Sequence, residues 1–247
     1  MKSNYHTHTF RCRHASGEDK DYVISAIRGG FTLLGFSDHT PWPFENGYRS
    51  PIRMQQAQLT EYLGSLRNLK TEYAGRITIK AGLECEYFPD FIPWLREIKE
   101  KHQLDYLLFG NHYPYMERPK TYFGRYTQTP EGLNLYLQTA LEGLESGLFE
   151  CMAHPDLFLC SYFAFDEHCG RVTTELCRTA ARLGITLECN CTIEYHPQFW
   201  RIAAREGCKV IVGVDAHNPL ALENSEICNR MLNRLKKEGI TEIQAYL

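Results

Sequence analysis

Apolar residues recur along this chain in short runs, and longer stretches with apolar residues at helical spacing lie between them. The runs are Ser3–His8, Phe31–Ser37, Ile77–Glu84, Asp105–Asn111, Phe149–Ala153, Ile185–Asn190 and Lys209–Val214. Each has the length of a strand, and most are rich in Val, Ile, Leu, Phe or Tyr, which fit a pleated, buried surface. The intervening pattern predicts helices over Asp21–Arg28, Gln55–Tyr73, Phe91–Lys101, Glu131–Glu145, Arg171–Leu183, Gln198–Glu206 and Asn224–Lys237. In the second of these, Leu59, Tyr62, Leu63, Leu66 and Leu69 form one apolar stripe, while Gly29-Gly30 stops the first.

Strands that alternate with helices imply parallel pairing through crossover connections. No Gly-rich nucleotide-type turn follows any strand, so the pattern favours an α/β barrel over an open sheet. In such barrels the chemistry sits on loops at the C-terminal ends of the strands.

Composition narrows the picture further. The chain has 247 residues, which suits a single domain over 1–247. With 43% hydrophobic and 23% charged residues it belongs with folded globular proteins. The formal net charge of -3 argues against nucleic acid or an anionic membrane as a partner. The opening MKSNYHTHTF lacks the apolar core of a signal peptide, so a cytoplasmic location is expected. Ten cysteines include no C-x-x-C pair, which removes support for a zinc knuckle and leaves them as small buried hydrophobes of a reducing compartment.

The candidate chemistry appears at the strand ends. His6 and His8 close the first strand, two residues apart and therefore on one side of it. His14 follows in the next loop. Asp38 and His39 end the second strand, Glu84 the third, His112 the fourth, His154 the fifth, and Asp215 with His217 the last. A lone histidine is ordinarily a hydrogen-bonded structural residue. Nine convergent imidazoles and carboxylates are not, because burying so many polar groups without a ligand is costly. Metal ions would satisfy them, and a mixed His/carboxylate set suits Zn, Fe or Mn. Nine ligands exceed the three or four that one tetrahedral ion takes, so two or three divalent ions are implied. Glu84, alone at its strand end, is the candidate bridge between ions. A water shared between such ions is a ready nucleophile, and metal clamps suit phosphoryl oxygens, so the expected class is hydrolysis of a phosphoester. Asp38 would orient a metal-bound imidazole, a partner such rings commonly need.

His6-Thr7-His8, Ser37-Asp38-His39, the lone Glu84, isolated His112 and His154, and Asp215-Ala216-His217 resemble, in that order, the motifs of the PHP (polymerase and histidinol phosphatase) family. The resemblance spans essentially the whole chain and implies a distorted, TIM-like (β/α)7 barrel. Residues 53–91, RMQQAQLTEYLGSLRNLKTEYAGRITIKAGLECEYFPDF, resemble the histidinol-phosphatase subgroup. That resemblance implies three metals: His6, His8, Glu84 and Asp215 at the first, Glu84, His112 and His154 at the second, and His14, His39 and His217 at the third. It implies the reaction L-histidinol phosphate plus water giving L-histidinol and phosphate. The alternatives are a phosphatase of another small phosphorylated metabolite and, from a different class, a non-catalytic metal-binding barrel.

Two departures from the subgroup concern phosphate binding. It usually carries an Arg shortly after the sixth strand's Glu-x-Asn and a basic residue after the fifth-strand His. Here Glu188-Cys189-Asn190 is followed by no arginine before Arg201, and HPDLFLCSYFAF contains no cation. Arg118 and Arg125, in the loop after His112, are the candidate substitutes for gripping a phosphate. Trp42, Phe44, Tyr48, Tyr113, Tyr115, Tyr122, Phe123 and Tyr126 either line a pocket for a substrate ring or pack the loops.

Overall fold

The computed structural model describes residues 3–45, 47–118, 120–162 and 164–247, with Ser225 described by its backbone alone. Strands form where the apolar runs lie: β1 Ser3–Asn4, β2 Leu33–Phe36, β3 Thr78–Cys85, β4 Tyr106–Gly110, β5 Cys151–Ala153, β6 Thr186–Asn190 and β7 Val210–Gly213. They order as β1-β2-β3-β4-β5-β6-β7 in one seven-stranded sheet. Every residue of β2, β4, β5, β6 and β7 is buried, as strands of a parallel sheet covered on both faces must be.

The crossover helices are α1 Asp19–Arg28, α2 Gln56–Glu72, α3 Ile92–His102, α4 Phe123–Tyr126, α5 Pro130–Glu145, α6 Glu167–Leu183, α7 Pro197–Arg205 and α8 Ser225–Lys237. Their ends follow from local chemistry. Gln55 and Gln58 form a reciprocal capping box at the start of α2. The Asp166 carboxylate accepts from the Cys169 backbone N–H, which starts α6 four residues before the apolar periodicity does. Gly184 ends α6 with φ of 71°, a left-handed cap that costs a glycine little.

The first predicted strand is cut short. Only Ser3 and Asn4 join the ladder, in register with Leu33 and Leu34. Beyond them the Asn4 side chain substitutes for ladder bonds: its Nδ2 donates to the His6 carbonyl at 2.9 Å and its Oδ1 accepts from the Val214 N–H at 2.8 Å. Thr7 then pairs in parallel with Ala216, whose carbonyl accepts from the His8 N–H at 2.9 Å. The end of the last strand is thereby stitched to the first, completing a (β/α)7 barrel topology.

The chain divides into two compact units. Unit 1 comprises Met1–Cys85, Asp90–Leu108 and Gly213–Asn229; unit 2 comprises Glu86–Pro89, Phe109–Val212 and Arg230–Leu247. In unit 1, Tyr106 is buried and its hydroxyl donates to the Tyr5 carbonyl at 2.6 Å. A Cβ on Gly82 would stand 2.7 Å from that tyrosine ring and one on Gly35 would stand 2.5 Å from its hydroxyl, so both strands need glycine there. In unit 2, the Leu187 N–H donates to the Lys209 carbonyl at 2.9 Å, joining β6 to the start of β7, and Phe109 stacks on Phe149 at 4.9 Å.

All ten cysteines are free thiols and nine are buried, Cys160 being the exposed one. Among the described residues no helix is long and apolar enough to cross a membrane.

Candidate metal centre

In unit 1 the strand register delivers ligand-type side chains to one place. His39 lies opposite Glu84 in a parallel bridge that continues the β2–β3 pairing, and His39 Nδ1 stands 3.0 Å from Glu84 Oε2. The same Glu84 oxygen is 3.5 Å from Nε2 of both His6 and His8. Asp215 Oδ1 lies 3.4 Å from His6 Nε2, 3.2 Å from His8 Nε2 and 3.3 Å from His217 Nδ1. The Nε2 atoms of His6 and His8 are 3.1 Å apart, and those of His14 and His217 are 3.0 Å apart.

These close nitrogen pairs are the observation a metal explains. His14 Nδ1–H donates to the Cys12 carbonyl at 2.9 Å and His217 Nδ1–H to the Asp215 carbonyl at 3.1 Å, which leaves each Nε2 as the ring's second nitrogen. Burial and the nearby charge of His8 push the His217 imidazole down to about 4, so at neutral pH its Nε2 is a bare lone pair aimed at another ring. Tetrahedral ligation at a Zn–N distance of about 2.0–2.1 Å sets neighbouring nitrogens about 3.3 Å apart, close to the spacings found here. Among the described residues, His6, His8 and Asp215, and likewise His8, His39 and His217, bring their ligand atoms within 4.8 Å of one another.

Charge in unit 1 is arranged for a cation. Burial would raise Asp215, but His6, His8 and His217 hold it well below the usual carboxylate range. Burial would lower His8, yet its contacts with Asp215 and Asp38 outweigh that and lift it to about 9. A metal ion bound there would displace that proton, because it takes the neutral imidazole. His39 is held well below its ordinary value by burial and by His8. Asp38 is fixed as a receiver: Oδ2 accepts from the Thr9 hydroxyl and from the Thr9 N–H at 3.2 Å, and Oδ1 accepts from the His39 N–H at 2.8 Å. Its Oδ1 faces His8 Nδ1 at 3.6 Å. The loop carrying His14 is anchored by Arg11, buried and bonded in a two-pronged fashion to Asp19 at 2.7 and 2.8 Å and to Glu61 at 2.8 and 2.9 Å. Removing one member of such a buried pair costs about 3–5 kcal/mol.

Unit 2 carries a second, smaller group. His112 Nε2 and His154 Nε2 face each other at 3.3 Å. His112 Nδ1–H donates to Glu86 Oε1 at 2.8 Å, which fixes the tautomer that presents Nε2 outward. The backbone N–H of His154 donates to Glu188 Oε2 at 3.2 Å, and Asn190 Nδ2 donates to the same oxygen at 3.2 Å. Tyr122 stacks on His112 at 6.2 Å and Tyr113 lies 5.6 Å from Tyr122.

Of the nine residues expected as ligands, seven thus gather in unit 1 and two in unit 2. Two of them, His154 with φ of 32° and Asp215 with φ of 52°, hold a left-handed backbone that costs a non-glycine residue about 1–3 kcal/mol. Arg118 and Arg125 are both exposed, and neither guanidinium makes a hydrogen bond or ion pair among the described residues. The aromatics split: Trp42, Phe44 and Tyr48 line a cavity in unit 1, whereas Tyr113 and Tyr122 pack beside His112. The three histidines away from the strand ends, His102, His168 and His196, are half-buried. Sequence reasoning missed Glu86 and Glu188 as partners of the unit 2 histidines. The available signal was Glu84-Cys85-Glu86, two carboxylates two apart at one strand end, and Glu188-Cys189-Asn190 at another.

The PHP domain model matches residues 4–192. The chain belongs to the PHP domain family. Among its PHP relatives, the protein named "Probable histidinol-phosphatase" of Deinococcus radiodurans is 28% identical over 87% of this chain and 85% of that protein. The histidinol-phosphatase of Bacillus subtilis is 34% identical, over 37% of this chain and 35% of that protein. The fold is similar to the crystal structure of histidinol phosphate phosphatase from Lactococcus lactis complexed with zinc, L-histidinol and phosphate. The TM-score is 0.77 at 19% identity, covering 98% of this chain and 95% of that one.

Proposed function

We propose that this chain is a metal-dependent phosphomonoesterase, a single PHP-type domain over 1–247 that converts L-histidinol phosphate and water to L-histidinol and phosphate. The observation that carries the reading is the pairing of imidazole Nε2 atoms at 3.0–3.3 Å, with carboxylates among or behind them. The names of the relatives in Deinococcus radiodurans and Bacillus subtilis, and the ligands bound to the Lactococcus lactis protein, support the substrate.

Two or three divalent ions, Zn, Fe or Mn, would supply Lewis acidity toward a phosphoryl oxygen and activate water as nucleophile. In this reading His6, His8, Glu84 and Asp215 hold one ion and His14, His39 and His217 another. Glu84 suits a shared position because its Oε2 faces His6 and His8 on one hand and His39 on the other. His112 and His154 contribute to a further ion, with Glu86 fixing the His112 tautomer. Asp38 positions His8 and the start of the His39 segment rather than touching substrate. The partner is a small phosphorylated metabolite met in the cytoplasm.

A second substrate reading has its own support. The fifth- and sixth-strand loops lack the cations that the subgroup places there, which favours another small phosphate monoester. One experiment separates these readings: phosphate release by metal-replete protein from L-histidinol phosphate and from a panel of sugar and nucleoside monophosphates. Turnover of L-histidinol phosphate well above the panel is the expected result. Preference for another ester rejects the substrate and keeps the class; no turnover of any ester rejects the enzyme.

A further inference from the structure

A buried free cysteine ordinarily packs as a small hydrophobe, and burial alone gives its sulfur no chemistry. Cys12 is set apart by its company. It is fully buried, and its Sγ lies within 4.8 Å of a ring nitrogen of His14 and one of His217, which are as close to each other. A second group of the same tightness joins its Sγ to His8 and Asp38. The sulfur therefore sits beside the imidazole pair whose Nε2 atoms are already 3.0 Å apart. A tetrahedral ion with Zn–S of about 2.3 Å and Zn–N of about 2.0–2.1 Å spaces sulfur and nitrogen about 3.5 Å apart, which small side-chain adjustments reach from this arrangement.

The local chain path aims the sulfur there. Thr9 Oγ1 accepts from the Arg11 N–H, and the Cys12 N–H donates to the Thr9 carbonyl at 3.0 Å, which winds the single turn Phe10–Cys12. Arg13 then takes a left-handed φ of 69°, and its N–H closes on the Phe10 carbonyl at 3.0 Å. Past this reversal the backbone N–H groups of His14 and Ala15 donate to the Cys12 sulfur. A neutral thiol is a weak acceptor, whereas a thiolate makes charge-assisted hydrogen bonds, so two N–H donors on one sulfur suit the anion. With no cation beside it, burial and Asp38 push the thiol up to about 12 against the pull of those N–H groups. A thiol that coordinates an ion is deprotonated outright. The same residue also serves His14 through its backbone: the Cys12 carbonyl accepts from His14 Nδ1–H at 2.9 Å and leaves Nε2 as the ligand atom.

Charge gives a further reason. Glu84 and Asp215 bring anions to the set of His6 and His8, while His14, His39 and His217 are three imidazoles. A divalent ion held by neutral ligands in a largely buried group lacks compensation, and a thiolate would supply it from within the set.

We propose that Cys12 is a further metal ligand of this chain, its thiolate joining His14 and His217 on one ion and biasing that position toward zinc over manganese. The proposal rests on the reading of unit 1 as a metal centre, and it separates one of the ten cysteines from the packing role that suits a buried thiol. Soft thiolate ligands select zinc, while manganese is served by oxygen ligands.

The test loads metal-free full-length protein with cobalt(II). Tetrahedrally bound cobalt gives visible bands whatever its ligands, and an intense near-ultraviolet charge-transfer band when a thiolate is among them. Wild type, Cys12→Ser, Cys12→Ala and Cys160→Ser are compared, the last altering the exposed thiol. Wild type and Cys160→Ser are expected to show both features, and the two Cys12 variants to keep visible bands and lose the near-ultraviolet one. X-ray absorption of zinc-loaded wild type should find a sulfur neighbour at about 2.3 Å. Cys12→Ala should weaken one zinc ion about a hundredfold against a competing chelator, at or beyond the loss caused by removing a partner that only supports a ligand. Visible bands without the near-ultraviolet band in wild type overturn the proposal while the metal centre stands. A charge-transfer band that survives Cys12→Ser or vanishes in Cys160→Ser does the same. Protein that binds neither cobalt nor zinc rejects the metal centre itself, and the ligand with it. Should neither Cys12 variant fold, X-ray absorption of wild type decides: a sulfur shell retains the proposal, and a shell of nitrogen and oxygen alone overturns it.

Discussion

The two groups of histidines are built differently. In unit 1 the carboxylates stand among the ligand nitrogens: Glu84 Oε2 faces three imidazoles and Asp215 Oδ1 faces another overlapping three. In unit 2 the carboxylates stand behind the ligands: Glu86 takes the far N–H of His112, and Glu188 takes the backbone N–H of His154. The first arrangement would cancel the charge of a bound metal directly, while the second would make neutral imidazoles more basic and fixes where they point. Unit 1 would therefore hold an ion through charge, and unit 2 through tautomer and orientation.

That contrast can be broken most severely at Glu84. Glu84→Gln keeps the shape but removes the charge facing three rings, and several kcal/mol of stabilisation, about a thousandfold in kcat, should go with it. Metal analysis should show at least one ion lost; an unchanged count would refute the bridging role. Glu86→Gln, the corresponding change in unit 2, should act more gently. Loss of the His112 partner is expected to weaken metal affinity or activity about 10–100-fold, read by titration with a competing chelator. An effect as large as that of Glu84→Gln would erase the distinction between the groups.

Asp38→Asn lies between the two modes, because Asp38 stands behind His8 yet carries a full charge in unit 1. About tenfold loss of activity is expected with metal count unchanged, and steady-state kinetics with metal analysis decides. The smallest effect is expected in unit 2, where His154→Gly relieves a left-handed backbone, and chelator-treated protein should be stabilised by about 0.5–1 kcal/mol after glycine's entropy is allowed for. Thermal melting reads this. A lower Tm would show that the His154 side chain contributes more packing than its backbone stores strain.

Much of this was legible along the chain. All seven strands fall on apolar runs, and the seven long helices fall on the periodic stretches between them, because burial on two faces and burial on one stripe leave different periods. The candidate ligands were legible for a related reason. His6 and His8, two apart on an extended segment, must face one way, and their Nε2 atoms do stand 3.1 Å apart. Other features had no local trace. The first strand ends at Asn4 because an asparagine side chain replaces ladder bonds to Val214, a residue 210 positions away. The short helix Phe123–Tyr126 lies outside every periodic stretch. Glu86 was visible as a carboxylate, but its pairing with His112 depends on which loop meets which.

What the sequence determined by itself was the alternation of strand and helix, and hence the parallel barrel, together with the placing of the candidate ligand residues at the strand ends. Those properties are local, since a residue's direction follows from its neighbours' period. What only the tertiary structure decided was which carboxylate meets which imidazole and which loops meet each other. His39 reaches Glu84 only through the register of β2 on β3, and Arg13 meets Ser50 only through a hydrogen bond spanning 37 positions. Register and loop packing are set by the whole folded chain, so these pairings exist nowhere in the linear pattern.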